Sequence, residues 1–321
     1  MPAGASSEPI LKIAAPDFAS DLDLSGDEVV HLLDLAGQVK SAPARYGEAL
    51  RGRSIGLLFE KPSLRTRVSF EVAMWQLGGY AIYLSPGEVG LGKRESISDV
   101  ARTLSRFVNG IVARTFAHQT VELLTKYGTV PVINGLSDYE HPCQALGDLL
   151  TIQEKKGDLK GLRLAYVGDG NNVARSLILA AAVVGMDFSI ASPLGYELDK
   201  PALRRAKKLA TRSGAKIATM AEPRRAVENA DVVYTDVWTS MGQEAEAEVR
   251  RRVFASYQVD SALLSCAKKG ALFMHPLPAH HGEEIAEGLL DHPQSVVFDQ
   301  AENRLHIQKA ILVRALGGKP V

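Results

Sequence analysis

The sequence predicts an α/β protein divided into two domains, and three observations predict it. Short apolar runs of strand length alternate with stretches whose apolar residues recur at helical spacing. The chain has 321 residues, long for one core and comfortable for two domains of about 150 residues each. Around 57–70 an apolar strand end (Ile55, Leu57, Leu58, Phe59) breaks at Pro62 into a polar turn and then a helical pattern. In open α/β sheets such turns at strand ends hold ligands.

Composition narrows the function classes. The 37 basic and 37 acidic residues cancel, so no overall field favours nucleic acid or an anionic membrane. The longest apolar run, 177–186, is too short to span a bilayer. Residues 1–9 have neither the apolar core of a signal peptide nor the arginines of a transit peptide. Cys143 and Cys266 are the only cysteines, which points to a reducing compartment and no disulfide framework. The expectation is a soluble, cytoplasmic protein with no membrane or nucleic-acid partner. No cysteine or histidine cluster has metal-ligand spacing, so no metal is expected.

Taken in order, Ser25 and Glu28 form a capping box for a helix with Val29, Leu32, Leu33 and Ala36 on one stripe. After the strand at 55–59, a helix is predicted with Val68, Val72 and Trp75 at i, i+4 and i+7, stopped by Gly78 and Gly79. At the break between them, Ser63, Arg65, Thr66 and Arg67 converge on the positive end of a helix dipole, a ready anion site. Arginine's planar fork matches phosphate oxygens, so phosphate is the expected anion. A short strand follows at 80–84, then a charged, glycine-rich loop at 85–95 with few restraints of its own. The helix at 97–109 carries Val100, Leu104, Phe107 and Val108, and the strand at 111–114 ends on Arg114, facing the ligand crevice. A helix at 119–127 and a strand at 130–134 lead to Asp138-Tyr-Glu-His141-Pro-Cys-Gln144, which opens a helix toward Glu154. His141 and Gln144 share one face of its first turn.

Residues 155–160 read as the link between domains. Beyond them a buried strand at 162–167 runs into Gly168-Asp-Gly170-Asn-Asn172 and a helix at 173–184. A dinucleotide site is disfavoured there: Val173 replaces a third glycine, and the next strand, 188–191, ends in Ser192-Pro193 rather than an acid. A strand at 216–219, a short helix at 223–229 and a strand at 231–235 lead to Asp236-Val-Trp-Thr-Ser240-Met241-Gly242, whose polar residues suit a ligand ammonium group. A last strand, 271–274, ends in His275-Pro276-Leu277-Pro278, and a terminal helix opens near Gln300 with Ile307, Ile311 and Leu312 apolar.

Several of these stretches resemble one family. Ser63-Leu64-Arg65-Thr66-Arg67 is similar to the phosphate loop of the aspartate and ornithine carbamoyltransferases, with Leu64 replacing a threonine. His141-Pro-Cys-Gln144 resembles their carbamoyl-recognition motif, and Gly-Asp-Gly-Asn-Asn172 their amino-acid-binding turn. The stretch from Asp236 through Ser240-Met241-Gly242 looks like the ornithine enzymes specifically, whereas His275-Pro276-Leu277-Pro278 takes the form usual in the aspartate enzymes.

The resemblance covers nearly the whole chain and implies two α/β domains with parallel sheets flanked by helices, the active site lying in the interdomain cleft. It places a carbamoyl-phosphate-binding domain at 1–153, with the helix from about 303 to 321 packing back onto it, and an ornithine-binding domain at 154–302. The implied reaction moves the carbamoyl group of carbamoyl phosphate to the δ-amine of L-ornithine, giving L-citrulline and phosphate without metal or organic cofactor. It belongs to arginine biosynthesis or, reversed, to the arginine deiminase route. Arg65, Arg114, His141 and Arg304 are the implied catalytic residues. Ser63, Leu64, Arg65, Thr66, Arg114, His141, Gln144, Pro276, Leu277 and Arg304 would hold carbamoyl phosphate, and Asn172, Asp236, Ser240 and Met241 would hold ornithine. A homotrimer with shared sites is implied, the 85–95 loop acting as a lid in which Gly90, or Lys93 or Arg94, takes the phosphate-touching position. Pro276 leaves other acceptors open, namely aspartate, putrescine or an acylated ornithine, and a catalytically silent paralogue is the reading from a different class.

Overall fold

The computed structural model describes residues 17–317; the leader reading of 1–9 and positions 318–321 of the expected terminal helix lie outside them, and that helix runs over Val297–Ala315, starting earlier than the expected 303 and ending at its cap Leu316. The first sheet contains β1 (Ser54–Phe59), β2 (Tyr80–Leu84), β3 (Gly110–Arg114) and β4 (Val132–Leu136). Around it lie α1 (Gly26–Ser41), α2 (Leu64–Gln76), the short α3 (Pro86–Val89), α4 (Ile97–Phe107) and α5 (His118–Tyr127). Helix α6 (Pro142–Lys156) leads to a second sheet of β5 (Arg163–Val167), β6 (Asp187–Ala191), β7 (Ile217–Met220), β8 (Val232–Thr235) and β9 (Leu272–Met274). Its helices are α7 (Asn172–Val184), α8 (Lys200–Ser213), α9 (Pro223–Val227), α10 (Ala247–Phe254) and α11 (Ser261–Leu264). Last, α12 (Val297–Ala315) returns to pack on α1, α2 and α6.

Both sheets are parallel, ordered β2-β1-β3-β4 and β7-β6-β5-β8-β9. Ile55 to Phe59 are buried without alternation, as a strand covered on both faces requires. The order locates the ligand crevice. From β1 the chain pairs with β2 on one side and β3 on the other, and Phe59 lies beside Arg114 at their C-terminal ends. In the second sheet β5 pairs with β6 and β8, Val167 lying beside both Ala191 and Thr235. The direction in which strands are added therefore switches at β1 and β5, beyond Phe59 and Val167, and ligands of open parallel sheets bind at such points.

Some sequence expectations need correction. The buried face of α2 is Thr66, Phe70, Ala73 and Met74, while Val68 and Trp75 are exposed; two apolar stripes share this helix, and periodicity does not say which one meets the core. Helix α4 stops at Phe107, which is exposed, and Gly110 starts β3 rather than ending the helix. Helix α8 was not foreseen, since its core face is only Ala202, Ala206 and Ala210. The 85–95 loop is more ordered than its glycines suggest: Ser85 and Glu88 form a capping box and Gly90 caps α3 with φ +58°.

Candidate active site

A cleft of about 1570 Å³ separates the two sheets, lined by the turns that follow β1, β3, β5 and β8. On the first-domain side, Ser63 caps α2 by accepting from the Thr66 N–H at 3.2 Å. This aims the helix N-terminus and Arg65 at the cleft. Arg114 reaches the same wall from the end of β3, and Arg304 from α12. Burial, with Arg304 and Arg65 nearby, pushes the Arg114 guanidinium down to about 9, and burial pushes Arg304 down to about 10. Both still carry their charge at neutral pH. The Nε atoms of Arg114 and Arg304 are buried without a hydrogen-bond partner among the described residues.

The first turn of α6 supplies neutral groups. The His141 backbone N–H donates to Ser176 Oγ at 2.8 Å, anchoring the helix start. Burial, then Arg304 and Arg114, hold the His141 imidazole well below its usual range, so it is neutral at pH 7. Its Nδ1 and the Gln144 Oε1 are buried without partners. Beside them, Pro276 and Leu277 complete the wall. Leu277 adopts φ +59°, a conformation a branched side chain holds only when its surroundings enforce it. Its N–H donates to His275 Nδ1 at 2.9 Å, and His275 Nε2 lies 3.2 Å from Glu284 Oε1. Since Nδ1 accepts, the imidazole proton sits on Nε2, facing Glu284.

The opposite wall is built differently. Asp236 follows β8 and is held by the Asn171 side-chain amide at 2.7 Å and by the Val237 N–H at 2.8 Å. Burial raises its carboxyl above the usual range, an effect opposed by the Asn171 and Val237 hydrogen bonds. Ser240 and Met241 line the cleft on the following turn, which Gly242 closes with φ +97°. Gly170 is required on steric grounds, because a Cβ there would collide with the backbone of Glu197 and Leu198.

Of the residues implied to hold carbamoyl phosphate and ornithine, all but one line the cleft; the exception is Thr66, fully buried, whose hydroxyl accepts from Arg304 Nη2 at 2.6 Å. Arg67, expected in the anion cluster, instead pairs with Glu71 at 3.0 Å and lies 3.7 Å over the Tyr83 ring, because its place on α2 turns it away. Asn172 lines the cleft, although its amide N–H donates to the Ser137 carbonyl at 2.7 Å. Sequence reasoning missed Asn171, which both caps α7 and holds Asp236. It also missed Lys61, a buried cleft cation whose amine burial lowers and which lies 4.5 Å over Phe116. The adjacency of Lys61 to the phosphate turn was the available signal. One group with metal-ligand chemistry escaped the spacing rule: ligand atoms of His280, Glu283 and Glu284 lie within 4.8 Å of one another. Two of the three are already engaged, Glu283 with Arg251 at 2.8 Å and Glu284 with His275.

Fold and cleft define a two-domain α/β protein with a guanidinium-bearing wall opposite a carboxylate-bearing one. The family described as aspartate/ornithine carbamoyltransferase matches it twice, the carbamoyl-phosphate-binding domain over residues 16–154 and the Asp/Orn-binding domain over 160–315. The ornithine carbamoyltransferase of Anoxybacillus flavithermus is 53% identical over 309 residues, 95% of this chain and 98% of that one. The anabolic ornithine carbamoyltransferase of Pyrococcus furiosus is 50% identical over 311 residues, 96% of this chain and 99% of that one. A solved structure of the Pyrococcus furiosus enzyme superposes with a TM-score of 0.93, covering 97% of this chain and 100% of the other. The chain belongs to the aspartate/ornithine carbamoyltransferase family, on its ornithine carbamoyltransferase side. It is a carbamoyltransferase enzyme.

Proposed function

We propose that this chain transfers the carbamoyl group of carbamoyl phosphate to the δ-amine of L-ornithine, with the donor held by residues up to 153 and α12 and the acceptor by residues 154–302. The observation that carries the residue roles is the set of buried, unpartnered polar atoms on Arg114, Arg304, His141 and Gln144, all on cleft-lining residues. Carbamoyl phosphate brings about two negative charges, and its phosphate end suits Ser63, the N–H of Leu64, Arg65 and Arg114, where helix dipole and guanidiniums act together. Thr66 contributes through Arg304, whose guanidinium it orients. His141, Arg114 and Arg304 donate to the carbonyl oxygen. The Gln144 Oε1 and the Leu277 carbonyl accept from the carbamoyl nitrogen, with Pro276 shaping the turn.

Ornithine binds with its α-ammonium toward Asp236 and Ser240 and its carboxylate toward Asn172 and the Met241 backbone. The δ-ammonium gives up a proton, because without a lone pair it cannot attack. The neutral amine adds to the carbonyl carbon, and charge grows on the oxygen, where preplaced donors lower the barrier; losing one such donor typically costs about 10²–10³ in rate. The C–O bond to phosphate then breaks, and phosphate leaves with the second amine proton, so no protein acid is required.

A trimer completes this reading. Leu64, Trp75, Tyr80 and Phe107 expose large apolar surfaces on the first domain, as surfaces covered by another copy do. The 85–95 loop does not line the cleft of its own chain, which suits a lid supplied to a neighbour, with Gly90, Lys93 and Arg94 at its tip. No helix among the described residues is long and apolar enough to cross a membrane, and the free thiols Cys143 and Cys266 favour the cytoplasm; cell fractionation against a cytosolic marker tests that placement. The deciding experiment for the function is citrulline formation measured beside a panel of other amine acceptors. Comparable turnover of aspartate or putrescine, or none of any acceptor, would overturn the assignment.

A further inference from the structure

Asp148 lies in the middle of α6, one turn beyond Gln144, and is fully buried. Three elements meet at its carboxylate. Oδ1 accepts from Gln144 Nε2 at 2.8 Å and from Gln300 Nε2 at 2.7 Å, while Oδ2 accepts from the Tyr234 hydroxyl at 2.9 Å. Gln300 in turn uses its Oε1 to accept the His275 backbone N–H at 2.9 Å, which fixes the start of the turn carrying Leu277.

Above about pH 7, where it is ionised, the Asp148 carboxylate only accepts hydrogen bonds. Both glutamines must therefore turn their NH₂ groups toward Asp148 and their oxygens away from it. For Gln144 the oxygen turned away is the one without a partner. For Gln300 it is the one that anchors the 275–278 turn. One buried charge thus sets the polarity of two amides, and through them two acceptors stand where the carbamoyl nitrogen is placed by the reading above.

We propose that Asp148 is the positioning residue of the carbamoyl-nitrogen site, holding the Gln144 oxygen and the Leu277 carbonyl as acceptors so that the cleft selects a substrate NH₂ over a methyl group. This rests on the assignment of Gln144 and Leu277 to that nitrogen. In Asp148→Asn the side chain can present its NH₂ in place of Oδ1, so two accepting oxygens no longer fix the Gln144 amide, which is free to turn its own NH₂ toward the cleft. Carbamoyl phosphate then meets a donor where it needs an acceptor, whereas acetyl phosphate, which has no N–H there, loses nothing.

The test compares the KM of carbamoyl phosphate with the competitive inhibition constant of acetyl phosphate in the intact enzyme, beside melting curves. Asp148→Asn is expected to raise the carbamoyl phosphate KM about 10- to 100-fold, the loss of one or two hydrogen bonds, with the acetyl phosphate constant unchanged. A purely structural role would weaken both alike, and that outcome overturns the proposal. Gln144→Ala separates the two levels. If it leaves the preference intact, the assignment of Gln144 fails; if it abolishes the preference while Asp148→Asn keeps it, the Asp148 proposal fails.

Should Asp148→Asn not fold, Tyr234→Phe decides. Burial pushes the Asp148 carboxyl up to about 7, opposed by Gln144, Gln300, Tyr234 and Arg304. Arg304 faces it from α12 and Tyr234 from β8, with Asp236 and Tyr166 close to that tyrosine. Removing the tyrosine donor raises the carboxyl further, so the acid-side loss of carbamoyl phosphate affinity is expected to move to higher pH while acetyl phosphate binding does not follow. An unmoved profile overturns the proposal.

Discussion

Replacing Arg65 by alanine separates what the anion wall does for catalysis from what it does for the fold. Arg65 is half-buried, has no ion-pair partner among the described residues, and adds to the repulsion that lowers Arg114 and Arg304. Removing it relieves that repulsion, so the unliganded protein is expected to melt at the same temperature or slightly higher. Function should move the other way. A hydrogen bond to a charged group contributes about 1.5–3 kcal/mol, roughly 10- to 150-fold in affinity, and a preplaced donor to developing charge about 10²–10³ in rate. The expectation is a fall in kcat/KM for carbamoyl phosphate of at least about 10². Phosphate at 100 times its Kd stabilises a binding protein by about 2.7 kcal/mol, so the wild-type enzyme should melt several degrees higher in excess phosphate and the variant should not. Steady-state kinetics beside melting curves with and without phosphate read all three quantities. A near-wild-type rate with a retained phosphate shift would remove the turn after β1 from the mechanism.

Mixing an inactive variant in the 85–95 loop with Arg65→Ala is expected to restore part of the activity through hybrid trimers; no recovery after proven subunit exchange counts against shared sites. Chelators are expected to leave the rate unchanged, since Glu283 and Glu284 are engaged by Arg251 and His275; activity lost to a chelator and restored by zinc refutes this. Stability should carry the signature of His141, whose imidazole burial and the nearby Arg304 and Arg114 hold well below the usual 6.5. The unfolded chain takes up the proton first, so His141 costs stability as pH falls through about 6.5, by about 1.4 kcal/mol per pH unit. Burial raises Asp148, Asp21 and Asp236, and they act with the opposite sign, so the comparison is between wild type and His141→Gln over pH 5 to 7. Equal slopes would show that the imidazole is not held neutral.

What the sequence made legible was whatever is local. The capping box of Ser25 and Glu28 closes as expected, with the Ser25 N–H donating to Glu28 Oε2 at 2.9 Å. The cleft-facing ends of β1 and β3 were readable because the polar turn after Phe59 and the charge of Arg114 close two apolar strands at equivalent ends. Illegible were choices made by distant packing. Trp75 and Phe70 offer α2 equally apolar faces, and only the return of α12 from the far end of the chain decides which is covered. Arg65 and Arg67 are alike in sequence and two positions apart, yet one faces the cleft and the other Tyr83, because successive side chains on a helix point about 100° apart. Asn171 and Asp148 went unseen for another reason: each acts through a second residue whose proximity only the fold creates.

In the proposed reading, the division of charge across the cleft decides the acceptor. On the donor wall Lys61, Arg65, Arg114 and Arg304 all line the cleft with no ion-pair partner among the described residues. On the acceptor wall the arginines are spoken for: Arg175 pairs with Asp199 at 2.6 Å, Arg250 with Asp169 at 2.8 Å and Arg251 with Glu283 at 2.8 Å. The buried carboxylate left there without an ion pair is Asp236, fixed by Asn171, with Glu197 and Glu244 adding further negative charge. Aspartate would attack with its α-amine and bring two carboxylates to this wall, one of them against Asp236; like charges opposed at an interface cost several kcal/mol, the more so in a partly dry site. Ornithine would bring its α-ammonium to the same place and keep the δ-amine for the carbamoyl carbon. Pro276, the one residue of the aspartate form, removes only a thiol, a weak hydrogen-bonding group. Asp236→Asn keeps the shape and the Asn171 neighbour but deletes the charge, so it is expected to raise the ornithine KM by roughly 10- to 100-fold, the loss of a charged hydrogen bond, while the KM for carbamoyl phosphate stays within about twofold. An ornithine KM untouched by the change, or catalytic efficiency with aspartate comparable to that with ornithine in the wild type, would place the selection elsewhere than in Asp236.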